Sequence, residues 1–184
     1  MTAAPGYRGL VGTETTRTSR LLLQPMGPGD GPRLFALFSE PDVWWYNPAG
    51  LHADVGTTES YATRAGGKWD RDGLSYWVAV LAHDPTVVIG TGGVQLHGGG
   101  HWNLNYRVAP THQRQGFAAE IARAGIEAAR AVDTSLPVVA WIDHVNAPSI
   151  ATALRVGLHA AGEGVDPSDG STRLAFTDRN WIPA

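Results

Sequence analysis

The stretch "HWNLNYRVAPTHQRQGFAAEIARAGIEAARAV" (101–132) constrains the fold more than any other part of the chain. Its first residues alternate in character: Leu104, Tyr106 and Val108 on one side, Asn103, Asn105 and Arg107 on the other, which is the period of a β-strand. Pro110 lacks a backbone donor and ends that strand. From Phe117 the period changes. Phe117, Ile121, Gly125, Ala128 and Val132 recur at helical spacing and form the apolar stripe of an amphipathic helix. A strand handed to a helix across a short polar loop implies layered α/β architecture. Gly116 sits in that loop, just before the helix. A glycine there serves either an ordinary tight turn or a close approach of backbone amides to an anion at the helix N-terminus, and the loop alone fits both.

The same signals extend to the rest of the chain. "SRLLLQPM" (19–26) reads as a strand, and "GPGDGPRLFALFSEPD" (27–42) as a helix with Asp30 as cap and Pro32 in its first turn. "VWWYNPAGLHAD" (43–54) is an aromatic loop, and residues 57–73 hold a second helix that Gly66 and Gly67 end or break. "LSYWVAVLA" (74–82) and "VVIGTGGVQL" (87–96) form a hairpin, with Gly90, Gly92 and Gly93 marking a bulge or a close approach. "LPVVAWID" (136–143) is a buried strand, "NAPSIATALRVGL" (146–158) a short helix, and "HAAGEGV" and "STRLAFTD" two closing strands. This order predicts an α/β chain of the α+β type with one mixed, mostly antiparallel sheet of about seven strands flanked by helices. Residues 1–18 read as a flexible N-terminal arm and 19–184 as a single domain.

Composition removes several classes of function. The chain has 184 residues, 43% of them hydrophobic, enough for one domain with a normal core. A formal net charge of −3 argues against nucleic-acid binding through bulk positive charge. With no cysteine, disulfides, thiolate nucleophiles and cysteine metal sites are excluded. No metal is expected, and no segment reads as a signal peptide or a membrane span, so a cytoplasmic protein is the expectation. The Walker pattern fails because the single lysine, Lys68, lies in "GGKWD". "GTGGVQ" (90–95) resembles a dinucleotide fingerprint only in glycine count, since no helix follows it.

"QRQGFA" (113–118) resembles the acetyl-CoA signature of the GNAT superfamily of N-acetyltransferases: glutamine or arginine, two residues, glycine, one residue, then glycine or alanine. Gln113, Gly116 and Ala118 fill those places. "ETTRTSRLLLQPM" is similar to the opening of the ribosomal-protein N-terminal acetyltransferase (RimJ/RimL-like) branch, and "VVIGTGGVQL" to its third strand. Asn146, Ser149 and Gly157 match a later segment, with Leu158 where the family has phenylalanine. The resemblance runs in order through roughly residues 14–178.

It implies a sheet splayed between the family's fourth and fifth strands, here 101–109 and 136–143, with the pantetheine arm of acetyl-CoA in the gap. The backbone of Tyr106, Arg107 and Val108 would pair with pantetheine, and the amides of Arg114, Gln115, Gly116, Phe117, Ala118 and Ala119, after Gln113, would hold the pyrophosphate. Asn146 fits either a pantetheine contact or a helix cap. Ser149 fits either a donor to the leaving thiolate or a plain first-turn serine. Relatives carry a glutamate base on the fourth strand. Here Asn103 and Asn105 occupy that region and cannot act as bases. Asn103 remains a candidate site position, and His101, a water chain or the aromatic loop are left as proton acceptors. Trp44, Trp45, Tyr46 and Tyr76 are the candidate acceptor wall.

The function this implies is transfer of an acetyl group from acetyl-CoA to a primary amine by direct attack. The acceptor would be a peptide N-terminus or a small molecule, with a homodimer as the candidate assembly. A polycationic acceptor is disfavoured because the loops offer Asp42, Asp54 and Glu59 but no acidic cluster. Two other readings stay open: an acyl-CoA-binding module with weak or lost catalysis, and a nucleotide-binding protein.

Overall fold

The strand and helix read from 101–132 lie at the centre of the fold, and the rest of the sheet is built outward from them. A computed structural model describes residues 14–98 and 100–183. The strands are β1 (Thr16–Arg17), β2 (Leu21–Pro25), β3 (Tyr76–Leu81), β4 (Val88–His97), β5 (His101–Val108), β6 (Val138–Ile142), β7 (His159–Val165) and β8 (Thr172–Thr177). The helices are α1 (Gly31–Phe38), α2 (Val55–Asp72), α3 (Phe117–Val132) and α4 (Ala147–Arg155), with short 3-10 turns at Pro41–Val43, Pro48–Gly50 and Pro110–His112. One eight-stranded sheet runs in the order β1-β2-β3-β4-β5-β6-β8-β7. Every neighbouring pair is antiparallel except β5 and β6. Of the stretch 1–18 expected as an arm, residues 1–13 lie outside the described residues, and Thr16–Arg17 run along β2 as the eighth strand.

Alternation along β3 divides the core. Tyr76, Val78 and Val80 pack with Leu34, Leu37 and Phe38 of α1 and Ala62 and Ala65 of α2. Trp77 and Ala79 point the other way, into the cluster that holds Phe117, Ile121 and Ile126 of α3 and Ala153 of α4. Helices therefore cover both faces of the sheet, and both side chains of the "YW" pair are buried, each on its own face.

Two local expectations are corrected by tertiary contacts. Asp30 precedes α1, but its carboxylate makes no cap bond to that helix; it accepts from the Gly27 amide and the Arg33 guanidinium. The α1 terminus is served instead by Glu59 of α2, which accepts from the Gly29 and Gly31 amides at 2.7 and 2.9 Å. Gly66 and Gly67 do not break α2, which continues to Asp72 and stops at Gly73 in the left-handed region (φ 79). Gly66 is a packing residue: a Cβ there would lie 3.0 Å from Pro28 and 3.1 Å from Gly27. The lost helix propensity, about 1 kcal/mol for each glycine, is offset by packing α2 tightly beneath that loop.

The expected irregularity in β4 is present. Ala79 pairs with Gly90 and Val80 with Val88, so Ile89 is the extra residue of a bulge. Gly92 also lets α3 approach the sheet, because a Cβ there would fall 2.5 Å from Ile121 Cγ2 and 2.6 Å from the Asn105 carbonyl. Gly92→Ala is expected to destabilise the fold by roughly 1–3 kcal/mol, since neither a packed side chain nor a paired backbone yields that much space. Urea denaturation measures the change, and an unaltered midpoint would contradict the close approach.

Candidate active site

Between β5 and α3 the chain forms a loop that exposes helix amides instead of capping them. Gly116 precedes α3 in the left-handed region (φ 83), with no side-chain bond to the first turn, and Arg114 is also left-handed at φ 60. The N-terminal amides of α3 are thus open to an outside acceptor, and the helix dipole favours a negative one. A Cβ at Gly116 would meet nothing nearer than Arg20 Nη2 at 3.6 Å. The glycine is therefore required first by its backbone angle, which an L-residue adopts only with strain. Gln113 folds back, its Nε2 donating to the Val108 carbonyl at 3.1 Å, and Gln115 Nε2 donates to the Thr111 carbonyl. These side chains shape the loop and leave its amides available.

The loop is also tied to the far edge of the sheet. Arg20 donates through Nε to Glu120 Oε2 at 2.7 Å and through Nη1 to the Gln115 carbonyl at 2.9 Å, and its guanidinium lies 4.2 Å from the Phe117 ring centroid. The other Glu120 oxygen accepts from the Thr18 hydroxyl, the Ser19 hydroxyl and the Arg20 amide at 2.6–3.0 Å. Burial disfavours charge on this carboxylate, but those donors outweigh it and hold its pKa below the usual range. Nothing in the sequence singles out this pair, whose members are 100 residues apart.

Two cavities flank β5. The larger, ≈ 750 Å³, opens at the α3 terminus and takes in Arg114, Gly116, Phe117, Ala118, Ala119 and Arg155. The smaller, ≈ 460 Å³, has Tyr76, Gln95, Asn103 and Trp44 in its walls. Tyr46, Tyr106, Arg107, Asn146 and Ser149 line both. Gln95 and Asn103 are cross-strand partners, so neutral amides stand together in the wall of the smaller cavity. Asn103 Nδ2 donates to the Tyr76 hydroxyl at 3.3 Å, and burial holds that phenol neutral by raising its pKa.

The aromatic loop is split between the cavities. Trp44 is buried, its Nε1 donating to the Phe38 carbonyl at 2.8 Å, and it faces the smaller cavity. Trp45 is 52% exposed and lines only the larger one, so it does not join the acceptor wall expected of it. Trp44, Trp45 and Tyr46 lie in the bend between the 3-10 turns at Pro41–Val43 and Pro48–Gly50, and three adjacent side chains there do not share one direction.

The catalytic candidates are likewise separated. His101 is buried, its Nε2 accepting from Trp141 Nε1 at 3.3 Å, with the Trp181 ring centroid 5.5 Å away. It lines neither cavity, which corrects its place as a proton acceptor at the site. Ser149 does reach the junction. Its amide donates to Asn146 Oδ1 at 3.2 Å, and its carbonyl accepts from the Tyr106 hydroxyl at 2.8 Å. Asn146 therefore caps α4, and it also lines the cleft.

Backbone direction refines the expected strand contacts. The Trp102 amide bonds the Pro137 carbonyl on the β6 side and the Ala109 amide bonds the Ile89 carbonyl on the β4 side. By alternation, the amides of Tyr106 and Val108 face the β6 side and those of Asn105 and Arg107 face β4. On the β6 side the ladder pairs only Trp102 with Val138 and Asn103 with Val139. Arg107 is thus corrected from a backbone contact in that gap to a side-chain contributor. Its guanidinium lies 3.8 Å from the Trp44 ring centroid. Arg64, Gln95, His97 and Asp166, which also line the smaller cavity, carry no local signal in the sequence that marks them.

This architecture, a mixed sheet with an open helix terminus beside its central strand, is that of a coenzyme A-dependent acyltransferase. The chain belongs to the acetyltransferase (GNAT) domain family, whose model matches residues 20–159. Among solved structures it is similar to a protein described as a GNAT-family acetyltransferase from Bordetella pertussis, at 22% identity and TM-score 0.76, over 90% of this chain and 99% of that one. An acetyltransferase from Agrobacterium tumefaciens follows at 23% and 0.73, over 96% and 98%. A ribosomal-protein α-N-acetyltransferase of the RimL type, solved with coenzyme A, follows at 14% and 0.68, over 87% and 93%. Comparison with curated protein sequences found no match. The protein is an acetyl-CoA-dependent acyltransferase. Among the described residues no helix is long and apolar enough to cross a membrane, and no group of three or more acidic or histidine side chains is placed to hold a metal ion.

Two histidines, His97 in the wall of the smaller cavity and His52 packed on Phe38, give the stability a pH dependence. Burial lowers the His97 pKa, with His101 and Lys68 adding to it, and Asp166 opposing. Burial also lowers that of His52, together with Arg107 and Arg64. Both rings are neutral in the fold at pH 7 and take up protons more readily once unfolded. Their contribution is complete above pH about 6.5 and is lost as the pH falls through the lower folded values. The melting temperature is expected to drop between pH 7 and 5, above the carboxylate range, and His97→Gln to flatten that slope. An unchanged slope in the variant would remove His97 from this account.

Proposed function

We propose that the protein transfers the acetyl group of acetyl-CoA directly to an amine held in the smaller cavity. The observation that carries this reading is the junction at Tyr46, Tyr106, Arg107, Asn146 and Ser149. It joins an anion-ready helix terminus on one side to a cleft floored by neutral amides on the other. The larger cavity fits coenzyme A in its chemistry: uncapped α3 amides and the Arg114 and Arg155 guanidiniums for phosphates, and the Tyr106 and Val108 amides facing the β6 side for pantetheine. A splay of β5 from β6 beyond Asn103 belongs to this proposal and is supported by the short ladder between them.

Acetyl-CoA supplies an activated thioester, and the chain's residues supply position and proton handling. The Tyr106 and Val108 amides are the donors on β5 available to polarise a carbonyl lying in the gap. Ser149 is the proton donor for the leaving thiolate. The Tyr106 proton is committed to the Ser149 carbonyl, and burial raises the pKa of that phenol, so Tyr106 positions the first turn of α4. No carboxylate stands on β5 to take a proton from the amine, so positioning within the cleft carries most of the rate. Transfer from the solvent side through water completes the step. The volume of the smaller cavity, ≈ 460 Å³, favours a small amine over a long peptide.

The loop geometry makes a testable statement. Gly116→Val forces a branched residue into the left-handed region, at a cost of about 1–2 kcal/mol, and turns the α3 amides away from the cavity. Gly73→Ala meets the same backbone strain with no atom within 4 Å of its new Cβ, and serves as the control. Calorimetry is expected to show a Kd for acetyl-CoA raised at least about tenfold in Gly116→Val and unchanged in Gly73→Ala. Unchanged binding in folded Gly116→Val would remove the loop as the phosphate site. Tight binding of acetyl-CoA without thiol release from any amine would favour a binding module.

A further inference from the structure

We infer that the acceptor is a small amine that also carries an anionic group, a carboxylate or a phosphate, held by Arg107 and Arg64. This rests on the acetyl-transfer reading of the smaller cavity and narrows its substrate class. Four cationic side chains line that cavity, Arg64, Lys68, Arg107 and Arg173, against the carboxylates of Asp143 and Asp166. Two of the cations are already neutralised. Arg173 pairs with Asp166 and with Asp169, and Lys68 lies 3.6 Å from Asp72 and donates to the Leu96 carbonyl at 3.1 Å. Among the described residues Arg64 and Arg107 have no carboxylate within ion-pair distance. Asp143 likewise has no cation within ion-pair distance, so the unpaired groups of this half-open cleft leave one positive charge in surplus, with Arg107 half-buried and Arg64 at the exposed side; that field favours a ligand that brings its own negative charge.

Arg107 is built for that task. Its guanidinium rests 3.8 Å from the Trp44 ring centroid and 5.2 Å from that of Phe38. Trp44 is itself fixed: its Nε1 is bonded to the Phe38 carbonyl, and its ring fills the space where a Cβ on Gly50 would sit, 1.9 Å away. A guanidinium stacked by its face keeps its edge donors, which match the plane of a carboxylate or phosphate. Arg107 Nε is buried and has no hydrogen-bond partner among the described residues, a cost that an anionic ligand would relieve. Because Arg107 also lines the larger cavity, an anion held there places its amine near the Tyr106–Ser149 junction.

The same charges bear on the missing base. A positive environment disfavours an ammonium, so an amine entering this cleft loses its proton more easily than in water. The substrate's anionic group then satisfies the arginines while the amine stays neutral and nucleophilic. The neutral floor of Gln95 and Asn103 is consistent with this division, since it adds no carboxylate to compete with the ligand's own.

The test measures thiol release from acetyl-CoA with matched amines: phosphoethanolamine against ethanolamine, and γ-aminobutyrate against its amide. Spermidine and an alanine-initiated peptide provide the cationic and peptide arms. At least one anionic amine is expected to exceed its uncharged partner about tenfold in kcat/KM, and the two pairs tell phosphate from carboxylate. Arg64→Gln is expected to reduce that preference about fivefold, with the Kd of acetyl-CoA unchanged because Arg64 lines only the acceptor cavity. Equal rates within both pairs, preference for spermidine or the peptide, or a preference that survives Arg64→Gln would each overturn the inference while acetyl transfer stands. If no amine is turned over, calorimetric titration of the same amines at saturating coenzyme A decides: selective binding of an anionic one supports the inference, and its absence overturns it. Failure to bind coenzyme A at all overturns both readings.

Discussion

Strand β5 pairs with β4 along its whole length but with β6 only at Trp102 and Asn103. The proposed site depends on that asymmetry. Backbone amides inside a sheet must find partners, and those of Tyr106 and Val108 point to the side where the ladder has stopped. The two cavities meet there, and the strand's side chains divide between them by simple alternation. Arg107 and Asn103 reach the acceptor cleft through their side chains, while the strand's own backbone is left for a ligand.

In the proposed reading, the loop after β5 converts this opening into a phosphate site. Its geometry is held by a left-handed Gly116, an uncapped α3 terminus and the contacts from Arg20 and Glu120. Glu120 is partly buried and accepts four hydrogen bonds through its two oxygens from residues 18–20, besides its ion pair. Such charge-assisted bonds are worth about 1.5–3 kcal/mol each when formed between positioned groups. They fasten the loop before α3 to the opposite edge of the sheet. The acceptor side is organised by the same means. Trp44, braced by Phe38 and Gly50, holds a guanidinium flat, and the Tyr106 hydroxyl holds the first turn of α4.

Particular residues show how far local pattern carries. The period change at 101–132, the glycine before α3 and the order of later motifs were enough to specify the sheet, the helix and the cofactor family. Local rules failed where a distant group supplied what a neighbour was expected to supply. Asp30 looked like a cap, yet Glu59 provides the acceptor for α1. Gly66 looked like a helix break and is a contact surface for Gly27 and Pro28. His101 carried the right chemistry for a proton acceptor, but strand register buries it against Trp141 and Trp181. Each error has one source: burial and partnership are set across the sheet, and sequence spacing does not record them.

The sequence by itself determined the alternation of β5, the helical stripe of α3, the glycine between them and the absence of a carboxylate in "HWNLNYR". These are properties of residue type and period, and they suffice for the strand–loop–helix order at the centre of the architecture. Tertiary structure alone decided which charges in the acceptor cleft are cancelled and which are not. Arg173 finds Asp166 and Lys68 finds Asp72, whereas Arg64 and Arg107, equally plain in the sequence, reach the cleft without a carboxylate. The physical reason is that electrostatic compensation acts over a few ångströms in space: the pairs at Lys68–Asp72 and Arg173–Asp166 are close in sequence, but only the fold shows that no carboxylate comes within ion-pair distance of Arg64 and Arg107 among the described residues.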